Sequence, residues 1–377
     1  MSSTTLSSRQ TAFILFMILV GNALVAPAAG SGNSSWISNL LAALAGWYVL
    51  AVIIGVQKAF PGRSIIQITE LCLGKLGGKL LNFIYISAIF YATIVYLFDA
   101  CVIIRTILPF ITCYLLRPLI MLAAAYCIYK GVNTVGRLTE ILVPIALLLA
   151  GLSFILIFII ADFSRLQPVW ADWKALLGGI IESAGWPYSS ISCLAMLLPF
   201  VTDLAAKKKT IYIWYLAGVS VVALRSFLVI AVLGPEMTIL LRFPLYASLR
   251  MLTLADFQRV ELFFFLLWFT GGFVVLMINY LAASLALKDY IGLPRLNPLV
   301  LPLGFFLTVI SLYMYSSDME FYALGSVTTP LISLTLNLLY LTIVGAVVKL
   351  RKQHAGKPSI LSAEFRPEPA KRPSRPG

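Results

Sequence analysis

Two apolar segments of the chain are interrupted by residues that end or bend helices. The first contains Gly21, Asn22 and Ala23 with Pro27 just beyond, and the second contains residues 185–190, Gly-Trp-Pro-Tyr-Ser-Ser. A helix in hydrocarbon satisfies its own backbone, so a break requires protein, water or ligand to take over the freed groups. Gly and Pro also occur in membrane helices that only kink or pack closely. Because the interruptions open the two halves of the chain, we interpret them as paired breaks around a binding site.

The composition places the chain in the membrane. Of its 377 residues, 60% are hydrophobic and 11% are charged, against about 25% charged residues in soluble domains. Crossing the hydrocarbon takes about 20 apolar residues, and we predict about ten such spans. The expected fold is an all-α polytopic membrane protein with two inverted five-helix repeats and broken first and sixth helices. The predicted spans are residues 8–30, 35–56, 80–109, 115–130, 138–161, 175–202, 210–233, 259–287, 297–315 and 322–348.

The positive charge of the chain is explained by its topology. The net charge is +13, and Lys and Arg lie mainly in alternate short loops, for example Lys207, Lys208 and Lys209, and near the C-terminus. This bias indicates that both termini are cytoplasmic, and it makes nucleic acid an unexpected partner. We divide the chain into a transporter-like transmembrane domain, residues 1–348, and a disordered basic cytoplasmic tail, residues 349–377, which anionic lipid would attract.

The residue types needed for catalysis or metal binding are sparse. The single histidine, His354, lies in the polar tail, so a Ser-His or Cys-His couple cannot be built in the membrane. We expect no enzymatic activity, no cofactor and no metal. The five cysteines are widely spaced in mostly apolar segments, which favours buried hydrophobic side chains over a disulfide framework. They are Cys72, Cys101, Cys113, Cys127 and Cys193.

The two breaks suggest a site for a zwitterion. Unwinding at Gly21 and Asn22 would expose backbone amides at the positive end of a helix dipole, which suits a carboxylate. Carbonyls freed around Pro187 would suit an ammonium group. Residues of the third and eighth spans are added by their depth in the membrane. The predicted ligand-binding residues are Gly21, Asn22, Ala23, Tyr96, Asp99, Glu182, Gly185, Trp186, Pro187, Tyr188, Ser189, Ser190, Thr270 and Phe273.

Ionisable residues inside spans are costly and point to function. Asp99 and Arg225 lie at comparable depths in the third and seventh spans. They can form a structural ion pair, or Asp99 can contact a ligand amine or carry a proton. Glu182, just before the second break, is a better site candidate than Glu140, whose position in a first helical turn suits the helix dipole without a ligand.

Five groups of short motifs resemble, in order and spacing, those of the spore germination permease family over about residues 7 to 350. They are Ser8-Arg9-Gln10; Pro61-Gly62-Arg63-Ser64 leading to Leu73-Gly74-Lys75; residues 136–144, Gly-Arg-Leu-Thr-Glu-Ile-Leu-Val-Pro; Trp186-Pro187-Tyr188 followed by residues 196–200, Met-Leu-Leu-Pro-Phe; and Arg259-Val260-Glu261 opening a span that contains Trp268.

The resemblance implies a sensor. Members of that family are B subunits of nutrient germinant receptors in endospore-forming bacteria, built on the amino acid, polyamine and organocation transporter fold. It implies a small nutrient ligand, foremost an amino acid, and location in the spore inner membrane or bacterial cell membrane. The implied partners are an A subunit and a lipoprotein C subunit. Where we expect relatives to have Gly-Glu, this chain has Ser189-Ser190, so a particular germinant cannot be transferred.

Two other functions use the same features. A secondary amino acid transporter, coupled to protons or sodium, would carry its substrate by rocking one helix bundle around the same site. A structural scaffold for partner subunits would keep a vestigial pocket. The residues alone do not separate a sensor from a transporter, and the resemblance favours the sensor.

Overall fold

The computed structural model describes residues 5–25, 32–169, 172–241, 243–252, 262–325 and 328–354. These ranges are α-helical, with short 3₁₀ segments. Each of the ten predicted spans contains a helix. The helices are α1 Ser8–Val25, α2 Ser35–Ala59, α3 Ile65–Ile107, α4 Cys113–Tyr129, α5 Val132–Ile159, α6 Trp173–Gly185, α7 Leu204–Leu240, α8 Pro244–Arg250, α9 Leu262–Ile291, α10 Asn297–Tyr313, α11 Asp318–Gly325 and α12 Thr328–His354.

Length and hydropathy support a polytopic membrane protein. Within the described residues, six helices are long and apolar enough to cross a membrane, namely α2, α3, α5, α7, α9 and α12. The pair α10 and α11, bent by 97°, gives a seventh if it is one span. Helices α1 and α4 are apolar but shorter. The predicted all-α polytopic membrane fold is confirmed.

Helix packing repeats between the two halves of the chain. Helix α1 packs on α7 as α6 packs on α2, α5 packs on α9 as α12 packs on α3, and α1 packs on α5 as α6 packs on α12. When the spans are numbered in chain order, each contact in the first half corresponds to a contact between the spans five positions away in the other half. Two five-helix repeats predict this arrangement, which places the first and sixth spans in equivalent positions.

The break predicted at residues 21–23 of the first span is wrong, because α1 is helical through these residues. Gly21 lies where α1 crosses α9, and a Cβ on it would be 2.6 Å from Cγ2 of Val275 and 2.7 Å from the carbonyl oxygen of Gly271. The glycine therefore allows close helix packing, a common use of small residues in membranes. Pro27 lies outside the described residues.

The predicted break in the sixth span is confirmed. Helix α6 ends at Gly185, and Trp186 is extended with φ −153° and ψ 109°. A cis peptide bond joins Trp186 to Pro187, and 3₁₀ helices follow at Tyr188–Met196 and Leu198–Phe200. Proline has no amide hydrogen and cannot continue the α-helical bonding pattern. The second half of the span therefore follows a different backbone path.

The beginning of α1 is fixed by bonds to the segment that follows the broken span. Ser7 and Gln10 form reciprocal bonds between side chain and backbone, which is a helix-capping arrangement. Leu6 pairs with Val201 as an isolated β-bridge. The carboxylate of Asp203 accepts from the backbone N–H and the hydroxyl of Ser8, at 2.7 and 2.8 Å. We call residues 6–8 with 200–203 the N-terminal clip.

A third segment meets the clip. The Gln10 amide donates to the Glu140 carboxylate at 3.2 Å, and a Cβ on Gly136 would lie 2.6 Å from Cδ2 of Leu6. Glu140 thus bonds a neighbouring helix instead of a ligand. Two of the family-like motifs therefore converge at the same end of the helix bundle.

The C-terminal boundary differs slightly from the expectation. Helix α12 continues to His354, six residues beyond the predicted domain boundary at 348. The rest of the predicted disordered basic tail, residues 355–377, lies outside the described residues. Its disorder and its attraction to lipid stay predictions.

One expectation about the cysteines is wrong, because Cys101 and Cys113 form a disulfide. They lie near the end of α3 and at the start of α4, 12 residues apart in sequence, and their Cα atoms are 5.8 Å apart. The turn between the helices brings two cysteines together that the sequence shows only as scattered. Cys72, Cys127 and Cys193 are free.

We predict that thiol labelling will reveal this pair. The denatured, unreduced protein should take three maleimide labels and the reduced protein five, counted by mass spectrometry. Cys101→Ser should release the Cys113 thiol and yield four labels without reductant, whereas the control Cys127→Ser should yield two. Loss of the cross-link should lower stability by about 3 kcal/mol from loop entropy. Five labels on unreduced wild-type protein would contradict the pairing.

A second prediction concerns the clip. Burial alone would raise the pKa of Asp203, but hydrogen bonds from Ser8 and the nearby Lys207 charge lower this pKa below its ordinary value. The ionised form therefore stabilises the fold above about pH 4, and this stabilisation disappears as pH falls through the lowered pKa. We expect Asp203→Asn to reduce stability by about 0.5–2 kcal/mol at pH 7, and the difference from wild type to shrink as the pH falls below about 4.

The measurement is the thermal unfolding midpoint in detergent from pH 7 to pH 3. Asp172→Asn is the matched control, because the exposed Asp172 side chain accepts from the Lys174 backbone N–H at the start of α6, a bond that asparagine can also accept. A difference between Asp203→Asn and wild type that persists unchanged at pH 3 would show that the carboxylate charge is not what holds the clip.

Candidate functional site

Three consecutive residues after the break point toward three different helices. A 3₁₀ helix has about three residues per turn, so neighbouring side chains diverge by about 120°. Tyr188 packs against α2, where a Cβ on Gly46 would lie 2.9 Å from its ring. Ser189 meets α12, and Ser190 meets α3. All three residues are buried, so the break is the centre of a packed cluster.

Tyr96 of α3 joins several predicted site residues. Its hydroxyl donates to the side-chain oxygen of Asn22 in α1 and lies 3.2 Å from the hydroxyl of Ser190. Its ring packs on Trp186, with ring centroids 4.8 Å apart. The Asn22 amide nitrogen donates to the carbonyl of Ile18 in its own helix. The structure thus brings the first span, the third span and the break together at one tyrosine.

Helix α12 forms a wall of the site that sequence reasoning missed. The Ser189 hydroxyl donates to the Gly185 carbonyl and lies 2.7 Å from the hydroxyl of Ser333. The Asn337 amide donates to the same Ser333 hydroxyl at 3.2 Å. A Cβ on Gly185 would overlap the carbonyl of Pro330. The signal was present, because Ser333 and Asn337 are polar residues one turn apart in a mostly apolar span.

The charged candidates lie beside this cluster and have other neighbours. Asp99 is buried and accepts a hydrogen bond from Tyr322 of α11 at 3.1 Å. Arg225 is buried in α7 and interacts electrostatically with Glu182. Asp99 is three residues beyond Tyr96, and Glu182 is four residues before Trp186. A direct ion pair between Asp99 and Arg225 stays a prediction.

The predicted carboxylate cradle in α1 is absent. The amides of residues 21–23 lie inside a continuous helix, where backbone hydrogen bonds use them. In α9, the Thr270 hydroxyl donates to the carbonyls of Leu266 and Leu267 in its own helix. Phe273 stacks on the partly exposed Phe269. The structure therefore does not join Thr270 or Phe273 to the cluster around Tyr96.

These features define a class of protein. The chain is a polytopic helical membrane protein with transporter-like repeated packing, in which a broken span carries buried polar side chains. Comparison with protein families is more specific, because the model of the permease-type family described as "Spore germination protein" matches residues 5–319. The chain belongs to the spore germination permease family, as its motifs indicated.

A curated relative is similar over nearly the full length. Spore germination protein KB of Bacillus subtilis (strain 168) is 24% identical over 364 residues, which cover 94% of this chain and 98% of that protein. The family match ends within α11. Helix α12 therefore lies beyond the family match, although it contributes Ser333 and Asn337 to the cluster.

We predict that the two glycines at tight crossings cannot be enlarged. Gly21→Ala and Gly185→Ala would each place a methyl group against backbone of another helix, and overpacking of this kind costs about 1–3 kcal/mol. The expected result is a lower thermal unfolding midpoint of the detergent-purified protein. Gly55→Ala is the matched control, since nothing lies within 4 Å of the added Cβ. Equal midpoints for all three variants would refute the close packing.

Proposed function

We propose that this protein is the germinant-sensing integral membrane subunit of a spore nutrient receptor. Family membership supports a role in germination, and the relative named as a spore germination protein agrees with it. The observation that carries the binding role is the buried hydrogen-bonded cluster of Asn22, Tyr96 and Ser190 at the broken span. A small nutrient would replace bonds within this cluster.

Sensing requires only that the nutrient prefer one conformation. The cluster joins α1, α3 and the break, so a ligand that separates Tyr96 from Ser190 would move the break relative to α3. The segment after the break ends in the N-terminal clip, where Asp203 holds the start of α1. Movement at the site would therefore reach this end of the bundle through bonded residues.

The proposal also concerns which class of nutrient binds. A zwitterion was expected from amides exposed in α1 and carbonyls freed around Pro187, and an amino acid was implied by the family resemblance. The α1 amides lie within a helix in this conformation. Amino acids remain the first nutrients to test, together with sugars and nucleosides. The neutral pair Ser189-Ser190 stands where we expect Gly-Glu in relatives, so the ligand preference would differ from theirs.

The proposed assembly follows the family. The partners would be a germinant receptor A subunit and a lipoprotein C subunit, in the spore inner membrane, with both termini of this chain cytoplasmic. The disulfide supports this orientation, because it joins the ends of α3 and α4 that would then face away from the cytoplasm. Disulfides persist outside the reducing cytosol.

A secondary amino acid transporter is the second candidate. The repeated packing of the two halves around a broken span is the arrangement that such transporters use. Proton or sodium coupling would then use buried ionisable groups, of which Asp99 is nearest to Tyr96 along α3. Uptake of labelled amino acids into proteoliposomes, with and without an ion gradient, would measure this activity directly.

The deciding experiment is dipicolinate release from spores of the native host, with and without this gene. The panel contains single amino acids, sugars and nucleosides. We expect selective loss of the response to one nutrient class. An unchanged response to every nutrient, in spores whose other nutrient receptors have also been removed, would overturn the receptor role and make proteoliposome uptake the next test.

We predict that Tyr96→Phe weakens the response. Removing the hydroxyl leaves Asn22 and Ser190 without their common partner, and one neutral hydrogen bond is worth about 1 kcal/mol. The half-maximal nutrient concentration should rise about fivefold. Tyr48→Phe is the control, because its hydroxyl bonds Thr342 at an exposed position away from the break. Identical dose-response curves for both variants, at equal protein levels, would exclude Tyr96 from the site.

A further inference from the structure

Helix α12 carries a polar face through an apolar span. Thr329, Ser333, Asn337 and Tyr340 are spaced by four, four and three residues, which places them on one side of a helix. All four are buried. The outer two are satisfied by α3, because Thr329 bonds Tyr91 at 2.7 Å and Tyr340 bonds Asn82 and Thr69. Of the middle two, Ser333 lies 2.7 Å from the Ser189 hydroxyl of the broken span, and Asn337 donates to Ser333.

Asn337 has an unused acceptor. Its amide nitrogen donates to the Ser333 hydroxyl, but its side-chain oxygen is buried with no hydrogen-bond partner among the described residues. The residue is 5% exposed, so bulk water does not readily donate a hydrogen bond to this oxygen. Buried polar atoms are nearly always paired in native structures. An unpaired amide oxygen beside a backbone break is therefore a position that a ligand group can fill.

The hydrogen-bonding groups of this polar cluster are uncharged. The hydrogen bonds of Ser189, Ser333 and Asn337 in the described structure involve only hydroxyl, amide and carbonyl groups. The charged site candidates have other partners, with Asp99 accepting from Tyr322 and Glu182 interacting with Arg225. A charged ligand group placed here would lose its hydration without gaining a counter-charge. The position favours a neutral donor.

We propose that Ser189, Ser333 and Asn337 form a subsite for an uncharged hydrogen-bond donor of the nutrient, a hydroxyl or carboxamide group, which donates to the Asn337 oxygen. The subsite rests on the proposed function and adds α12 to the ligand site. Two sources carry this chemistry, namely a sugar or polyol and an amino acid with a hydroxyl or amide side chain.

The test combines variants of the protein with changes in the nutrient. Spores carry the full chain with its native partners, and dipicolinate release gives half-maximal concentrations for matched pairs: L-serine with L-alanine, L-asparagine with L-leucine, and D-glucose with its monodeoxy derivatives. Asn337→Leu removes the acceptor at similar volume. The matched control is Asn279→Leu, which changes a buried asparagine of α9 whose amide donates to a carbonyl of its own helix.

We expect Asn337→Leu to raise the half-maximal concentration of the donor-bearing nutrient about fivefold, the factor for one neutral hydrogen bond. Removing the donor from the nutrient should cost wild-type spores a similar factor and the Asn337→Leu spores nothing further. The nutrient pair that shows this coupling identifies sugar or amino acid. The control should keep the wild-type discrimination between the members of each pair.

Other outcomes overturn the subsite. In one, Asn337→Leu and removal of the nutrient's donor raise the half-maximal concentration independently of each other. In the other, the nutrient that triggers germination has no neutral donor, and Asn337→Leu leaves its half-maximal concentration unchanged. If Asn337→Leu does not accumulate, Ser333→Ala replaces it, with Ser284→Ala as control because Ser284 bonds only its own helix in the described structure. Failure of the proposed function looks different: deleting the gene would then leave every nutrient response intact.

Discussion

The structure depends on how the backbone of the sixth span is satisfied where α6 stops. In an apolar environment each freed carbonyl or amide needs a partner. The Ser189 hydroxyl donates to the Gly185 carbonyl and at the same time contacts Ser333 of α12. Satisfying the break therefore creates the interface with α12, and the polar cluster follows from the same requirement.

The sequence predicted the all-α membrane fold, the approximate spans and the second break, because apolar length and Pro187 act locally. It failed at Gly21, where the decisive fact is the backbone of α9 across the helix crossing. The sequence alone does not distinguish a glycine that permits close packing from a glycine that ends a helix. Ser333, Asn337 and the Cys101–Cys113 pair were missed for a related reason, since each acquires its role from a partner distant in sequence or beyond a turn.

The motifs that carried the family resemblance lie in different parts of the structure, with Trp186-Pro187-Tyr188 at the candidate site and Ser8-Arg9-Gln10 at the start of α1. Ser8 and Gln10 bond Asp203 and Glu140 at the end of the bundle, so these motifs preserve the relative placement of α1, α5 and α7. The site instead contains Ser189-Ser190, where this chain departs from the expected pattern.

The disulfide also bears on which parts of the molecule can move. It joins α3 to α4 only five residues beyond Tyr96, and α3, α4, α9 and α10 pack on one another. This group is a packed and cross-linked frame that carries the Tyr96 side of the cluster. The broken segment has no covalent tie to that frame within the described residues. A small molecule bound between Tyr96 and the break would push the broken segment away from this frame, and the length of the molecule would set how far the segment moves.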